Sequence, residues 1–467
     1  MAFLVGGANS ASGYEIENSV RFNDGDSARL TREFDQAPTS LKTFTLSFWV
    51  KRSSLGANQA VVSASTDSNN NDKVVGFRST DAIEVNNVAS GSDEVQIITN
   101  RLFRDVSAWY HIVVAIDTTQ SAIGDGVKFY VNGVRDTDYD GTPVYTQNAE
   151  FDIGGNGLTT AIGMLQVNTT QFLDGYVSQM HYIDGQQLAQ TSFGETNDNG
   201  VWIPKKYSGS YGNNGFFLEF QETGTSQNSS GIGADTSGND QHFAVTTLAA
   251  TDVTTDTPTN NFCTYNLLAT PSSLAQYGTF SEGNTTYTGH SNGSYGSSAT
   301  GTFGVASGKW YWESKLTTDL SNGIGTGIRD IAEWNPDWAN DSTFNHTDGG
   351  GDGGYAYNYN SGNPQRNNSE STTNAGSAIS QNDIVMHAMD LDNGALYYGI
   401  NGTWQASSDP ESGASKTNAQ HSFTVAGVYA PAAYSYSSRA FATNFGNPSF
   451  SISSGNADAN GYGNFEY

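Results

Sequence analysis

Residues 43–50 read Thr-Phe-Thr-Leu-Ser-Phe-Trp-Val, and this stretch decides the fold class of the chain. Every second side chain is apolar, which is the period of a β-strand that buries one face in a core. The same period recurs at residues 110–116 and again at residues 127–133, which end in an Asn-Gly turn pair typical of a β-hairpin. The pattern predicts β-strands in the first half of the chain.

The second half repeats this pattern with larger aromatic residues. At residues 309–316, Trp310, Trp312 and Leu316 fall on one face and mostly charged residues on the other. Residues 384–402 contain two apolar strands, each followed by an Asn-Gly turn. A chain of 467 residues is too long for one sandwich. We therefore predict an all-β fold with two antiparallel β-sandwich (jelly-roll) domains.

Changes in composition suggest the domain boundaries. Residues 206–267 are rich in Gly, Ser, Asn and Thr and contain one convincing strand, so we interpret them as a bridge. The predicted organisation is an N-terminal arm at residues 1–14, a first jelly roll at 15–205, the bridge, and a second sandwich at 268–467.

Charge and cysteine content narrow the classes of function. Lys and Arg total 20 against 47 Asp and Glu, a formal net charge of -27, so the chain should repel nucleic acids. The single cysteine, Cys263, excludes an intrachain disulfide. The chain does not begin like a signal peptide, and it has no apolar stretch of about 18 residues. We therefore expect neither classical secretion nor membrane insertion.

The sequence offers no catalytic residues. A glycosidase needs two carboxylates on either side of one bond. The nearest candidates lack a further partner or lie on opposite faces of a strand: Glu15 and Glu17, and Glu219 and Glu222. The histidines show no zinc-binding spacing, and we expect His111 and His387, which lie inside predicted strands, to be packing residues. We therefore predict that the protein is not an enzyme.

A short acidic run is the one candidate metal site. Asp136, Asp138 and Asp140 precede Gly141 and match the first half of a calcium-binding loop, in which alternate carboxylates converge on the ion. Gln147 stands where that loop carries a glutamate. Two interpretations stay open: a calcium site, or a polar hairpin connection without an ion. We expect no other cofactor.

Aromatic residues in a loop-rich part of the second half predict a surface that binds a glycan or receptor. Exposed rings hold sugars by stacking, while neighbouring Asn and Asp side chains bind hydroxyls. The alternative is that the tryptophans plug the ends of the sandwich. The candidate residues are Trp334, Trp338, Tyr355, Tyr357 and Tyr359.

The first half, from about residue 15 to residue 205, resembles a laminin-G-like jelly roll of the concanavalin A type. The motifs that carry this resemblance are residues 44–50, 109–114, 127–133 and 172–177. The second half resembles a SPRY domain, through residues 308–313, 390–398 and 441–446. The combination is similar to structural fibre and decoration proteins of tailed bacteriophages.

That resemblance implies a function and a location. It implies a virion structural protein, as a tail fibre or as a head fibre or capsid decoration, with lectin-like modules for attachment to a host-surface glycan or receptor. It also implies assembly in the host cytoplasm, other virion proteins as partners, and a homo-oligomer that we expect to be a trimer. A virion polysaccharide depolymerase and a cellular adhesin remain the alternatives.

The arm at the start of the chain suggests which end meets the particle. Phe3, Leu4 and Val5 have no strand-like pattern around them, so we expect this arm to dock on another virion protein. The second sandwich, with its loop aromatics, would then face the host.

Overall fold

Antiparallel sheets make up nearly all of the regular structure in the computed structural model of the protein, which confirms the predicted all-β class. The structure describes residues 4–5, 13–269, 278–290, 296–319, 324–331, 354–366, 369–436, 438–459 and 461–467. The chain divides into two units. We call Asn9–Asn261 the first sandwich, and Met1–Ala8 together with Phe262–Tyr467 the second sandwich.

Strand β1 (Leu4–Val5) belongs to the second sandwich. The strands of the first sandwich are β2 (Ser19–Phe22), β3 (Arg29–Glu33), β4 (Thr43–Arg52), β5 (Gln59–Asp67), β6 (Asn70–Phe77), β7 (Ala82–Ala89), β8 (Ser92–Leu102), β9 (Tyr110–Asp117), β10 (Val127–Val131), β11 (Val134–Asp136), β12 (Val144–Tyr145), β13 (Thr159–Ile162), β14 (Gly175–Asp184), β15 (Gly194–Thr196), β16 (Trp202–Pro204), β17 (Phe216–Leu218), β18 (Ala244–Thr246) and β19 (Val253–Thr254). A single helical turn, α1 (Ile123–Gly126), precedes β10.

Two sheets face each other across the core of the first sandwich. Sheet I has the order β11-β10-β9-β4-β14-β2-β19, with β17 also paired to β14, and sheet II has the order β12-β8-β7-β6-β5-β13-β3-β18. Strand β4 lies in the middle of sheet I, and its Phe44, Leu46 and Phe48 are fully buried between the sheets. Each such side chain contributes about 1.5–3 kcal/mol by leaving water. The stretch that predicts the fold class therefore lies at its centre.

Residues 206–267 are not a bridge, and this part of the domain prediction is wrong. Three of their short strands complete the first sandwich: β17 pairs with β14, β18 with β3 and β19 with β2. Buried charges fix the last of them. Lys51 Nζ lies 2.8 Å from Asp256 Oδ2, and Trp109 Nε1 donates to Asp256 Oδ1 at 3.0 Å. The boundary therefore falls between residues 261 and 262.

The strands of the second sandwich after β1 are β20 (Thr279–Ser281), β21 (Thr286–Thr288), β22 (Gly296–Thr300), β23 (Phe303–Gly304), β24 (Lys309–Leu316), β25 (Ile324–Asp330), β26 (Gly354–Asn358), β27 (Pro364–Arg366), β28 (Ser369–Glu370), β29 (Ile384–Asp390), β30 (Ala395–Ile400), β31 (Thr403–Trp404), β32 (His421–Ser422), β33 (Tyr429–Tyr436) and β34 (Ala440–Asn444). Sheet III has the order β20-β21-β34-β24-β29-β30-β31, with β32 also paired to β30, and sheet IV has the order β22-β33-β25-β26-β27-β28.

The alternation predicted for residues 309–316 is present in β24. Trp312 and Leu316 belong to the core of the second sandwich, against which Trp310 packs. Across the described parts of the chain, no helix has the length and apolar character that crossing a membrane requires.

The N-terminal arm does not extend freely from the first sandwich. Leu4 and Val5 form β1, which pairs in parallel with Phe303 and Gly304 of β23. Their backbone therefore forms a short strand within the second sandwich, which the sequence pattern did not indicate, while docking of the arm on another virion protein stays a prediction. Phe3 lies outside the described residues.

We predict that Asp256→Ala destabilises the first sandwich by about 3–5 kcal/mol, because the change leaves the buried Lys51 ammonium without its carboxylate. Urea unfolding read by hydrogen exchange of the β4 amides measures the loss. The control is Glu195→Ala, which removes an exposed ion pair with Lys205 and should cost less than about 1 kcal/mol. Equal effects of the two substitutions would show that Asp256 is not a structural anchor.

Candidate functional site

The outer face of sheet I, the face turned away from the core, carries an unusual set of side chains. Ser47 and Trp49 of β4, and His111 of β9, point to this face because they alternate with core residues. In β14 the register shifts by one residue between Ser178 and His181, and this β-bulge places Gln179 at a φ of 49°. An outer face of a sheet is commonly polar and solvated, but these side chains are buried.

They are buried because the chain after β14 folds back over them. Phe193, Tyr207 and Tyr211 pack over Val113, Tyr130 and Ile183 on this face and form a second, small apolar cluster. Trp202, from β16, stacks on His111 with 6.0 Å between the ring centroids. The segment from residue 185 to residue 215 therefore acts as a cover on sheet I, and we call it the covering segment.

His111 is held in one tautomer by two neighbours. Trp202 Nε1 lies 3.0 Å from His111 Nδ1, and because an indole N–H can only donate, Nδ1 must accept. The proton of the neutral ring is then on Nε2, which donates to Ser47 Oγ at 2.9 Å. Burial lowers the pKa of His111 to about 3, so the ring is neutral at physiological pH.

This geometry excludes the Ser47–His111 pair as a hydrolytic dyad. A serine nucleophile needs a histidine nitrogen that accepts its proton. Here the nitrogen that faces Ser47 already carries the proton, and the other nitrogen is occupied by Trp202. The pair is therefore a packing and hydrogen-bonding arrangement, as expected for a histidine inside a strand.

His181 lies on the same face, on strand β14, which pairs with β4. Its ring is stacked on Phe217 with 4.0 Å between centroids, and Nδ1 is 3.0 Å from the hydroxyl of Tyr211. Burial, and then the nearby His111, lower its pKa to about 3. The face therefore holds two neutral histidines that supply hydrogen-bonding atoms without charge.

A narrow crevice lies between this face and the covering segment, and its interior has no room for a water molecule. Tyr14 borders it from the other side, and its hydroxyl donates to Gln179 Oε1 at 2.9 Å. The lining combines aromatic rings, two amide or hydroxyl side chains, two neutral histidines and one cation: Tyr14, Ser47, Trp49, His111, Gln179, His181, Phe193, Pro204 and Lys205. We call this the outer-face crevice.

The outer-face crevice was not predicted from the sequence. Its residues come from positions as far apart as Tyr14 and Lys205, which no local pattern connects. One signal was present: Ser47, His111 and His181 stand at the polar positions of strands whose other positions are apolar. An imidazole at such a position favours a sheet face that is covered by another part of the chain over a face that is exposed to solvent.

Two neighbouring carboxyl groups, those of Asp72 and Asp152, lie elsewhere in the first sandwich. The backbone N–H of Asp152 donates to Asp72, whose pKa is raised by burial and by the neighbouring Asp152. Asp72 is 1% exposed, so a substrate cannot reach it. The pair does not have the open arrangement that a glycosidase needs.

The predicted aromatic surface of the second sandwich needs correction. Tyr357 and Tyr359 are 0% exposed and belong to the core, and Tyr359 shares a 2.6 Å hydrogen bond with Thr326. Tyr355 is half-buried and stacks on Phe423. Buried rings cannot present a face to a sugar. Trp334 and Trp338 lie outside the described residues.

The three aspartates of the candidate calcium loop do not converge. Asp136 Oδ2 accepts from Arg101 Nε at 2.9 Å, and Asp138 Oδ1 accepts from Asn100 Nδ2 at 2.7 Å, so two of them are bonded to different partners. Throughout the described ranges, no group of three His, Cys, Asp or Glu side chains is placed to hold a metal ion. The geometry favours the polar hairpin connection.

Comparison with known proteins gives a family match within the first sandwich. Residues 23–186 match the family described as the concanavalin A-like lectin/glucanases superfamily. The match includes β4, β9 and β14, which supply the floor of the outer-face crevice, and ends before most of the covering segment. Over these residues the first sandwich is similar in fold to concanavalin A-like lectins. No curated protein matches the chain.

The solved structures that are similar to this chain include the following three proteins. The match to the SPRY domain of human HERC1 has 19% identity and a TM-score of 0.26, and it covers 34% of this chain and 87% of that domain. The match to a native heptameric SAP-like pentraxin from Limulus polyphemus has 14% identity and a TM-score of 0.28, and it covers 38% of this chain and 80% of the pentraxin. The match to a putative carbohydrate binding protein from Bacteroides ovatus has 14% identity and a TM-score of 0.33, and it covers 50% of this chain and 58% of that protein.

We predict that acid destabilises the first sandwich through its covered histidines. Their folded-state pKa of about 3 lies below the ordinary 6.5, so the unfolded chain binds protons first. The stability they contribute is complete above about pH 6.5 and is lost as the pH falls toward 3. Denaturant unfolding between about pH 7 and pH 4, followed by exchange of the β9 and β14 amides, measures this slope.

The variant His181→Phe should flatten that slope, because one of the two groups no longer titrates while the stacking on Phe217 is kept. The matched control is Tyr211→Phe, which removes the hydroxyl bonded to His181 but keeps the imidazole. An unchanged slope in His181→Phe would contradict the assignment of the acid sensitivity to this face.

Proposed function

We propose that the chain is a non-catalytic carbohydrate-binding protein whose first sandwich holds a saccharide at the mouth of the outer-face crevice. The observation that carries the proposal is the composition of the crevice on a lectin-type fold: aromatic rings beside neutral hydrogen-bonding groups. Sugars need both, because their C–H faces pack on rings while their hydroxyls exchange hydrogen bonds with polar side chains.

The crevice is too narrow for a sugar ring to enter, because its interior has no room for a water molecule. The accessible part is its mouth, where Tyr14 is half-buried and Lys205 is exposed. We therefore expect a saccharide to lie across this mouth, with its apolar side against the ring of Tyr14 and a hydroxyl near the ammonium of Lys205.

The alternative of a depolymerase has less support. Hydrolysis needs an acid and a second carboxylate within about 5–10 Å of each other on either side of the bond. The lining of the crevice includes neither Asp nor Glu, and its histidine beside Ser47 cannot act as a base. Binding without cleavage fits these residues better.

We further propose, from the resemblance to bacteriophage fibre and decoration proteins, that the chain works on a virion. It would attach the particle to a host-surface glycan, as a homo-oligomer held by other virion proteins. A cellular adhesin is the alternative. Immunogold labelling of phage particles from the source culture tests the location: label on heads or tails supports it, and label on cell envelopes alone favours the adhesin.

We predict that Gln179→Gly weakens saccharide binding about two- to tenfold, because the Tyr14 hydroxyl at the mouth of the crevice loses a hydrogen bond of about 0.5–1.5 kcal/mol, while glycine accepts the positive φ. A glycan array identifies the best-bound oligosaccharide, and titration calorimetry compares the variants. The control is Gln171→Gly, which replaces another glutamine with a positive φ, outside the crevice. No bound glycan, or equal losses in both variants, contradicts the proposal.

A further inference from the structure

The last part of the second sandwich folds into a hairpin on the outer face of sheet III. Asn456 and Phe465 exchange two backbone hydrogen bonds of 2.8 Å, and the carboxylate of Glu466 is bonded to both the backbone N–H and the hydroxyl of Ser453. The backbone N–H of Tyr462 donates to Asp458 Oδ1 at 2.9 Å. We call residues 453–467 the C-terminal hairpin.

A buried carboxylate fixes this hairpin to the sheet. Glu313 of β24 is 0% exposed, and the backbone N–H groups of Glu466 and Tyr467 donate to its two oxygens at 3.0 and 2.8 Å. The hydroxyl of Tyr311 and the amide of Asn444 complete its partners. Charge-assisted bonds of this kind are stronger than neutral ones, so the backbone at the end of the hairpin is held firmly.

The side chains of the hairpin divide between anchor and surface. Phe465 is buried, with its ring edge-to-face on Tyr311 at 5.0 Å. Tyr462 and Tyr467 are instead 42% and 39% exposed, and they are the exposed large aromatic side chains among the described residues. Tyr467 also packs beside Gly402, where an added Cβ would lie 2.9 Å from its ring. The rings are therefore displayed from an ordered backbone.

We propose that the C-terminal hairpin is a second saccharide-binding surface, in which Tyr462 and Tyr467 stack on the apolar faces of a neutral sugar. Exposed tyrosines on an ordered support bind sugars at a low entropy cost, because the support is already in place. This inference rests on the same ligand class as the proposed function but uses a separate site, in the other sandwich.

Charge determines which sugars fit this surface. The hairpin carries Asp458 and Glu466, the pKa of Glu466 is lowered by its bonds to Ser453, and the chain as a whole has a net charge of -27. An acidic polysaccharide would be repelled at this surface. The ligand class is therefore a neutral hexose polymer rather than a uronate or sulfated one.

Affinity gel electrophoresis of the full chain tests the proposal, with dextran, laminarin, galactomannan and polygalacturonate in separate gels. We expect a neutral polymer to retard the wild-type protein and polygalacturonate not to. The double variant Tyr462→Ala with Tyr467→Ala should bind the neutral polymer about fivefold more weakly or worse, because two stacking contacts are lost. Leu268→Ala, which removes a 41% exposed side chain from the same sandwich, should bind normally.

The outcomes separate the two sites. Normal retardation of the double tyrosine variant overturns the second surface, while a loss in Gln179→Gly in the same gels leaves the crevice standing. Retardation by polygalacturonate and not by a neutral polymer overturns the ligand class. Failure of every neutral polymer to retard the wild-type protein overturns both sites. Because the two tyrosines are exposed, unchanged melting curves will establish that the double variant is folded.

Discussion

The hydrogen bonds on both sides of the His111 ring are the interaction that holds the covering segment to sheet I. Trp202 reaches the ring from the covering segment and Ser47 reaches it from the sheet, at 3.0 and 2.9 Å. A buried imidazole without these partners would carry unsatisfied polar atoms at a cost of about 1–3 kcal/mol each. The same bonds attach the cover to the sheet, and burial under that cover lowers the pKa of His111 and keeps the ring neutral. The cover therefore both closes the crevice and removes the basic chemistry of this histidine.

The fold class followed from the sequence because it depends on a local pattern. Apolar residues stand at every second position from Phe44 to Val50, and the structure places these side chains in the core. The extent of the first domain did not follow, because β17, β18 and β19 are two or three residues long. What holds the last of them is a pair of charges, Lys51 and Asp256, that are 205 residues apart. Two charged residues at that separation carry no pattern that marks them as buried partners.

The prediction of exposed tyrosines at residues 355–359 was wrong for a related reason. Tyr355, Tyr357 and Tyr359 stand at every second position, which is the period of a strand with one face in a core, and that period outweighs the loop-rich composition around them. Tyr462 and Tyr467 lie in a stretch rich in Gly and Asn and are exposed. The acidic run at residues 136–140 has the spacing of a calcium loop, but Arg101 and Asn100 take up two of its carboxylates. The spacing of the aspartates does not reveal that neighbouring side chains compete with an ion for their carboxylates.

The central claim is that the outer-face crevice binds a sugar and leaves it intact. The most direct measurement is a crystal structure of the full chain with the oligosaccharide that it binds best. The account predicts an uncleaved sugar at the mouth of the crevice, with one ring against Tyr14 and close to Lys205, and with the Trp202–His111 hydrogen bond unchanged. A cleaved sugar in that position, or an intact sugar bound to the first sandwich at some other place, would contradict it.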